Sequence, residues 1–411
     1  MKDSWIRLRA HQLADQMIGW RRHLHQYPEL SFQEYETSRF IVEELRKIPG
    51  MEIETGVGTE TSVVATISSG SGPVVAVRAD IDALPIIEET NHSYSSLSTG
   101  VMHACGHDAH AAILLAVAAL LGEAREKGEL NGTVKLIFQP AEEAADHLGK
   151  TGALYLVEAG VLDEAECVIA LHMSPEHRVG DILIHDGYSM ANVDVFEATI
   201  HGTGGHGAYP HLGSDPIWML GPVLQAIHGI VARHISPLDP AVISIGEVRA
   251  GTASNVIPPE VYLQGTMRSY SPDVRKILIE KLRKAFSIVE SFDGTYSLSV
   301  NKGEPALYNN PSVNHVIRQT VHHLYPAMKQ LDLPFGLGGE DFSHMALKIP
   351  GAMFFLGSAL QDGKHRELHT PVFDIDESCM PIGASILTQT AMNILNRNSE
   401  IQNDTSGLKI V

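Results

Sequence analysis

The alternation of apolar and polar positions predicts helices and buried strands in turn along the first part of the chain. Strands are predicted at residues 63–67, 74–77, 133–138 and 167–171, and helices at residues 5–25, 37–47 and 108–127. Several of these strands are continuous apolar runs, which is typical of strands buried on both faces. Because such strands alternate with helices in α/β domains, we predict an α/β fold with a mostly parallel sheet. Asp108 is predicted to cap the helix that runs to about Lys127.

The pattern changes near Ser189. Strands are predicted at residues 192–201, 242–248, 261–267 and 295–300, and helices at residues 215–232 and 272–289. This βαββαβ order fits a small α+β module of the split βαβ, ferredoxin-like type. The α/β pattern resumes near Lys302. We therefore predict a catalytic domain made of residues 1–188 and 302–411, with a module of residues 189–301 inserted into it.

The composition limits the kinds of partner. The 411-residue chain has a formal net charge of −19 at pH 7, which would repel nucleic acid and anionic membranes and leaves small molecules or proteins as partners. Its three cysteines are far apart and predict no disulfide framework. No apolar secretory segment follows the N-terminus, and the longest apolar run, residues 111–122, is too short to span a bilayer. We expect a cytoplasmic protein.

The segment Met102–His110 concentrates metal-binding side chains just before the predicted buried helix. Cys105 and His107 flank a glycine, so a thiolate and an imidazole can converge on one cation, and this pair suits zinc, nickel, cobalt or manganese. Cys105 could instead be a nucleophile with His107 as its base. The surplus of potential ligands around Cys105 makes the metal interpretation the stronger one.

Further candidates follow the predicted strands. Because carboxyl ends of parallel strands meet at one edge of a sheet, these residues should converge beside Cys105: Asp80, Asp82, Glu142, Glu143 and His172. Within the adjacent glutamates we predict Glu143 as a metal ligand and Glu142 as a base, its pKa raised by burial and like charge. Asp80 or Asp82 would orient a ligand histidine. His369 is a further candidate ligand.

Other motifs are weaker or absent. Residues 202–207 match the glycine pattern of a dinucleotide-binding loop, but Pro210 interrupts the helix that should follow and no acidic residue lies about 20 residues on. We expect these glycines to let His206 reach a ligand. The chain contains no HExxH helix and no GxSxG elbow, which excludes the commonest zinc-protease and serine-hydrolase motifs.

Several motifs together resemble one family. They stand in the family's order at Arg21–His25 with Pro28–Leu30, Arg78–Pro85, Met102–His110, Gln139–Glu143, Gly205–Ala208 with Pro210–His211, Gly251–Ala253 with Asn255–Pro258, Gly339–Ser343 and Leu368–Thr370. The chain resembles the aminoacylase and glutamate-carboxypeptidase family of two-metal peptidases. Within it, the match is to the amidohydrolase branch of hippurate hydrolases, N-acyl-amino-acid deacylases and plant auxin-conjugate hydrolases.

The resemblance implies two divalent metal ions, held by Cys105, His107, Glu143, His172 and His369. It assigns Glu142 as general base and Asp82 as the supporting carboxylate. The metals would be zinc, manganese, nickel or cobalt. It also implies that the inserted module is a lid that joins a homodimer. His206 would then reach the partner subunit's site to stabilise the oxyanion, while Asn255 and Arg268 would bind the substrate carboxylate.

We therefore predict a metal-dependent amidohydrolase that cleaves N-acyl amino acids into a carboxylic acid and a free amino acid. A dipeptidase or carboxypeptidase using the same site, and a non-catalytic metal-binding scaffold, are the alternatives. One departure concerns substrate preference: residues 144–147, Ala-Ala-Asp-His, stand where the family has a glycine-rich stretch. His147 could compete as a ligand, although a place in the pocket wall is the stronger interpretation.

Overall fold

The computed structural model describes residues 4–364 and 366–396. Its strands are β1 Glu52–Thr55, β2 Val63–Ser68, β3 Val74–Asp80, β4 Thr133–Gln139, β5 Cys167–Arg178, β6 Asp181–Leu183, β7 Gly187–Met190, β8 Asn192–His201, β9 Gly205–His206, β10 Ala241–Ala250, β11 Val256–Ile257, β12 Glu260–Ser269, β13 Thr295–Lys302, β14 Leu307–Asn309, β15 Lys329–Leu331 and β16 Gly351–Ala359. Its α-helices are α1 Trp5–Gln12, α2 Ala14–Gln26, α3 Tyr35–Leu45, α4 His107–Glu126, α5 Gly152–Glu158, α6 Pro216–His234, α7 Pro272–Ser287, α8 Pro311–Leu324, α9 Phe342–Lys348 and α10 Met380–Leu395.

The described residues form two compact units. The first contains residues 4–187, 308–334 and 341–396 apart from residue 365, and the second contains residues 188–307 and 335–340. In the first unit, eight strands form one sheet in the order β1-β2-β4-β3-β5-β16-β6-β15. The central pairs β4-β3, β3-β5 and β5-β16 are parallel, and antiparallel pairs lie towards the edges. The predicted α/β class with a mostly parallel sheet is confirmed.

Helix α4 lies at the centre of the first unit's core. Its apolar side chains pack with those of α10 and with alternate residues of the central strands. Among the described residues, α4 is the one helix long and apolar enough to cross a bilayer, but 89% of its most apolar window is buried inside the protein. It is therefore a core helix, as the sequence predicts.

The predicted cap of α4 is wrong. The helix begins at His107, with Gly106 at the N-cap in the left-handed conformation (φ 94°). Asp108 lies inside the first turn, where its carboxylate accepts hydrogen bonds from buried side chains. The helix starts early because Gly106 reverses the chain at no steric cost, which an Asp108 cap could not do.

The second unit is a four-stranded antiparallel sheet in the order β10-β12-β8-β13, with α6 and α7 on one face. Its elements follow one another as strand, helix, two strands, helix and strand. Along β8 fully buried residues alternate with half-buried ones, which is typical of a sheet with one covered face. Ser271 caps α7 through its side chain, and Pro272 takes the first helical position, where a missing N–H costs no hydrogen bond. A role of this unit as a lid stays a prediction.

A buried arginine joins three distant segments of the first unit. Arg21 on α2 donates to Asp108 Oδ2 at 2.9 Å, to Asp374 Oδ1 at 3.2 Å and to Glu377 Oε1 at 3.0 Å, and its side chain has no exposed surface. Although burial favours the neutral acid, Arg21 holds the pKa of Asp108 well below its usual range. Arg21 thereby fixes the first turn of α4, which directly follows Cys105.

We predict that Arg21→Met lowers the free energy of unfolding by about 3–5 kcal/mol, because it leaves buried carboxylates without their cation. Urea unfolding at pH 7, followed by the fluorescence of Trp5 and Trp20 in the same unit, measures the change. Arg22→Met is the matched control. Arg22 also pairs with Glu377 but is 44% exposed, so its loss should cost no more than about 1 kcal/mol. Equal losses in the two variants would contradict the prediction.

Candidate metal centre

The predicted carboxylates lie where the central strands end. Asp80 is the last residue of β3 and Asp82 follows it, while Glu142 and Glu143 follow β4. His172 is different, because it lies inside β5, which continues to Arg178, and not after it. Pairing with β16 continues through His172 and keeps the strand extended. The side chain of His172 is nevertheless buried next to Cys105, with Cys105 Sγ 3.4 Å from His172 Nε2.

Two left-handed residues bring the remaining candidates into place. Gly106 turns the chain between Cys105 and His107, and a Cβ at this position would lie 3.0 Å from Met173 Cγ. His369 also has a positive φ of 61° and donates its backbone N–H to Ala104 O at 2.8 Å. A left-handed conformation is uncommon outside glycine, so both turns depend on the surrounding contacts.

The predicted ligands form overlapping groups whose donor atoms lie within 4.8 Å of one another. These groups are Cys105 with His107 and His172, Cys105 with Glu143 and His369, and His107 with Glu142 and Glu143. Glu143 Oε1 lies 3.3 Å from His369 Nε2 and 3.8 Å from His107 Nε2. All five predicted ligands and the predicted base are thus in one cluster at the edge of the sheet.

The hydrogen bonds of the histidines suit a metal. His107 Nδ1 donates to Asp82 O at 2.9 Å, and His172 Nδ1 donates to Met173 O at 2.8 Å. Both rings therefore direct an Nε2 lone pair into the cluster. Within the described residues, the buried atoms His107 Nε2 and Glu143 Oε1 have no hydrogen-bond partner. Buried polar atoms are rarely left unpaired, so these atoms fit a bound cation.

The charges of the cluster also favour a cation. Although burial lowers the pKa of His107, the carboxylates Asp80, Asp82 and Glu143 raise it to about 10. The negative potential that would keep a proton on His107 is the one that attracts a divalent ion. Burial and the neighbouring His110 lower the pKa of His172 to about 3, so this imidazole is neutral, as a ligand must be.

Asp82 connects two of the candidate ligands. Its Oδ1 lies 3.2 Å from His107 Nδ1, and its Oδ2 accepts from the backbone N–H of Glu143 at 3.0 Å and from Ser31 Oγ at 2.7 Å. Although burial opposes ionisation, the hydrogen bond and charge of His107 lower the pKa of Asp82. This is the geometry of a supporting carboxylate that orients a ligand histidine.

His110 has a role that was not predicted from the sequence. Its Nδ1 contacts Asp80 Oδ1 at 2.6 Å and its Nε2 accepts the backbone N–H of Met173 at 2.9 Å. Arg78 donates to Asp80 Oδ2 at 2.6 Å, so a buried chain of polar groups runs from Arg78 through Asp80 and His110 to Met173, whose carbonyl accepts from the His172 ring. The spacing of His107 and His110, three residues apart on one helix face, was the sequence signal that could have indicated this role.

Residues 144–147, which stand where the family has a glycine-rich stretch, lie in a turn held by the side chain of Asp146. Asp146 Oδ1 accepts from the backbone N–H groups of Leu148 at 2.8 Å and Lys150 at 3.1 Å, and Asp146 Oδ2 accepts from Tyr155 Oη at 2.6 Å. His147 is 85% exposed, and none of the candidate metal groups among the described residues contains it. Asp146 therefore shapes the loop after Glu143, and the geometry gives no support to His147 as a ligand.

Three predicted residues belong to the second unit. The paired strands β9 and β11 place His206 opposite Val256, and Gly207 N–H donates to Asn255 O at 2.8 Å, so His206 and Asn255 are neighbours on an exposed ribbon. Arg268 lies on β12, where it is half-buried and donates from Nε to Thr266 Oγ1 at 3.1 Å. Burial lowers its pKa.

Comparison with known proteins gives consistent matches. Residues 76–393 match the model of peptidase family M20/M25/M40. The chain is 39% identical over 393 residues to an N-acetyl-L-cysteine deacetylase of Bacillus subtilis (strain 168), covering 94% of this chain and 90% of the relative. It is also 39% identical over 393 residues to thermostable carboxypeptidase 1 of Saccharolobus solfataricus, covering 94% and 97%.

A solved structure agrees with these matches. The YXEP protein of Bacillus subtilis, a dinuclear metal binding peptidase from the M20 family, superposes with a TM-score of 0.82 at 34% identity. The match covers 94% of this chain and 99% of that chain.

We predict that the protein, equilibrated with Mn²⁺ or Zn²⁺ and then desalted, carries two equivalents of metal by elemental analysis. His369→Ala should weaken one of the two sites by at least ~100-fold, more than the loss of a residue that only supports a ligand. His369 is 52% exposed, so its removal leaves no large buried cavity.

His147→Ala is the control for this measurement. It removes an exposed imidazole from the neighbouring loop and should leave two equivalents bound. A loss of metal in His147→Ala without a loss in His369→Ala would reverse the assignment of these two histidines.

Proposed function

Because the chain belongs to peptidase family M20/M25/M40, we propose that it is a two-metal amidohydrolase that cleaves N-acyl amino acids into a carboxylic acid and a free amino acid. The observation that carries the proposal is the place of Glu142, whose carboxylate lies within 4.8 Å of donor atoms of His107 and Glu143. A metal-binding scaffold would have no use for this additional carboxylate.

The donor set fits two divalent cations. Held by Cys105, His107, Glu143, His172 and His369, they would polarise the amide carbonyl and lower the pKa of a water molecule. Glu142 would take the proton of that water and return it to the leaving nitrogen. Asp82 would hold the His107 ring and the Glu143 backbone in place during these steps.

His206 would stabilise the oxyanion. Its Nδ1 accepts the backbone N–H of Ala208 at 3.0 Å, so the neutral ring carries its proton on Nε2, where it can be donated. In this proposal the second unit is a lid that pairs two copies of the chain, and His206 acts in the partner subunit's site. The exposed strand edge of β10 supports a paired assembly. Asn255 and Arg268 would bind the substrate carboxylate.

A second activity has specific support. The relative named thermostable carboxypeptidase 1 matches this chain over nearly its whole length. A carboxypeptidase or dipeptidase would use the same water, the same base and the same carboxylate-binding residues. It would differ only in accepting a free amine on the acyl side of the scissile bond.

We place the enzyme in the cytoplasm, with a small molecule as its partner. Cys105, Cys167 and Cys379 are buried, and none of these three described residues is in a disulfide, which suits a reducing compartment. The net charge of −19 disfavours nucleic acid and anionic membranes.

We expect the protein to hydrolyse at least one of acetyl-, benzoyl- or indoleacetyl-amino acids in preference to dipeptides. Chelation should abolish this activity and one of manganese, zinc, cobalt or nickel should restore it. Glu142→Gln should retain two equivalents of metal but lose about 10²–10⁴-fold in kcat, because the base is gone. Quantified release of free amino acid measures the hydrolysis, its dependence on metal and the loss in Glu142→Gln, and elemental analysis measures the metal retained by that variant.

The same assay separates the alternatives. Turnover of dipeptides without turnover of acylated amino acids would favour the peptidase. Activity that survives chelation would turn attention to Cys105 as a nucleophile. Near-normal turnover by metal-loaded Glu142→Gln would exclude the mechanism.

Mixed dimers test the role of His206. Glu142→Gln and His206→Ala homodimers should both be nearly inactive. A heterodimer of the two, purified through two different tags, should recover about half of the wild-type activity, because one site then combines an intact Glu142 with an intact His206 of the partner subunit. A heterodimer as inactive as its parents would show that His206 does not act across the dimer.

A further inference from the structure

The loop that carries Glu142 has a constrained backbone. Directly after β4, Ala141 adopts a left-handed conformation with a φ of 51°. For a residue other than glycine this conformation is unfavourable by about 1–3 kcal/mol and persists only where neighbouring contacts impose it. Ala141 makes two such contacts, since its N–H donates to Glu34 Oε1 at 2.8 Å and its carbonyl accepts from Gly152 N–H at 2.8 Å. The direction in which the chain enters Glu142 therefore depends on Glu34.

Glu34 is buried without a counter-ion. It has no exposed surface, and no cationic side chain among the described residues forms an ion pair with it. Burial and the nearby charge of Asp82 raise the pKa of Glu34 to about 7. A carboxyl group in such a place is unfavourable unless its hydrogen bonds compensate for the lost water.

The carboxylate of Glu34 accepts its hydrogen bonds from three loop residues, Phe32, Thr61 and Ala141. Oε1 accepts from the backbone N–H of Phe32 at 3.0 Å as well as from Ala141, and Oε2 accepts from Thr61 Oγ1 at 2.7 Å. Phe32 is itself left-handed, with a φ of 64°. One carboxylate oxygen thus holds the backbone N–H groups of two left-handed residues, Phe32 and Ala141, that are far apart in the chain.

The same segment also reaches the far side of Glu142. Ser31 Oγ donates to Asp82 Oδ2, which accepts the backbone N–H of Glu143 as well. The segment from Ser31 to Glu34 is therefore linked to the residue before Glu142 directly and to the residue after it through Asp82. Each of the two residues that flank the base therefore has its backbone N–H held by a buried carboxylate.

We propose that Glu34 is a positioning residue for the proposed hydrolysis: by holding the N–H of Ala141 it sets the direction of the Glu142 carboxylate. This inference rests on the proposed function, in which Glu142 is the base. Glu34 acts through the loop, and the two N–H groups require from it only an acceptor oxygen at the right distance. A glutamine can supply that oxygen, whereas a methionine of similar length cannot.

Two substitutions at one position test the proposal. Glu34→Gln should keep kcat within about threefold of wild type. Glu34→Met should lower kcat by about 10–100-fold, with KM and the two equivalents of metal unchanged, because a small misplacement of a catalytic group slows the reaction without weakening substrate binding. Steady-state kinetics on the best wild-type substrate, with metal content measured on the same samples, provide the readout.

Further variants keep the test decisive if Glu34→Met does not fold. Glu34→Asp keeps the carboxylate but shortens the side chain by one bond length, ~1.5 Å. It should lower kcat as Glu34→Met does. Thr61→Val removes the hydrogen bond to Oε2 and leaves both loop contacts intact. It should lower the unfolding temperature and leave kcat within about threefold of wild type.

The possible results are distinct. Wild-type kcat in Glu34→Asp or folded Glu34→Met, or a loss of kcat in Thr61→Val as large as theirs, would overturn the positioning role. A loss that accompanies metal loss would also overturn it. Failure of the proposed function would instead appear in the wild-type protein, as absence of turnover on every substrate in the panel.

Discussion

The site depends on the burial of several carboxylates at one edge of a parallel sheet. Each carboxylate loses its hydration there, so the fold must supply hydrogen bonds and positive charge in return. Arg78 supplies part of this charge to Asp80, and Arg21 does the same for Asp108 in the first turn of α4. Around His107 the carboxylates carry more negative charge than the neighbouring cationic side chains neutralise, and this excess raises the pKa of His107. Two divalent ions would neutralise part of this negative potential.

The backbone serves the same arrangement. Left-handed residues occur at Gly106, Ala141 and His369, each within two residues of a predicted ligand or base. Extended or helical backbone would direct these side chains away from a common point, so the chain reverses sharply at each place. Only one of the three residues is a glycine, and the other two are held by hydrogen bonds from distant segments. The positions of the site residues therefore depend more on hydrogen bonds to distant segments than on the conformational preferences of the residues themselves.

Much of the fold and the centre of the site could be predicted, because apolar strand patterns and closely spaced ligands are local signals. The burial of α4 and the clustering of Cys105 with His107 follow from such signals. The structure departs from prediction where tertiary contacts decide. Asp108 lies inside the helix, where Arg21, 87 residues away, pairs with it, and β5 continues through His172 because β16 pairs with it. Glu34 could not be recognised because its partner Ala141 is 107 residues away and contributes only a backbone N–H.

The position of β16 in the sheet has a consequence for how the chain acquires its structure. This strand lies between β5 and β6, yet it is the last of the sixteen described strands along the sequence. During synthesis, β5 leaves the ribosome without its partner strand on one side, and more than 170 residues follow before Gly351–Ala359 can pair with it. Unpaired strand edges promote association between chains, and long-range parallel pairing is slow. The second unit can complete its own sheet in that interval, whereas the first unit cannot complete its sheet until β16 has been made. We therefore expect nascent chains, and chains truncated before β16, to expose the centre of the first unit's sheet to aggregation.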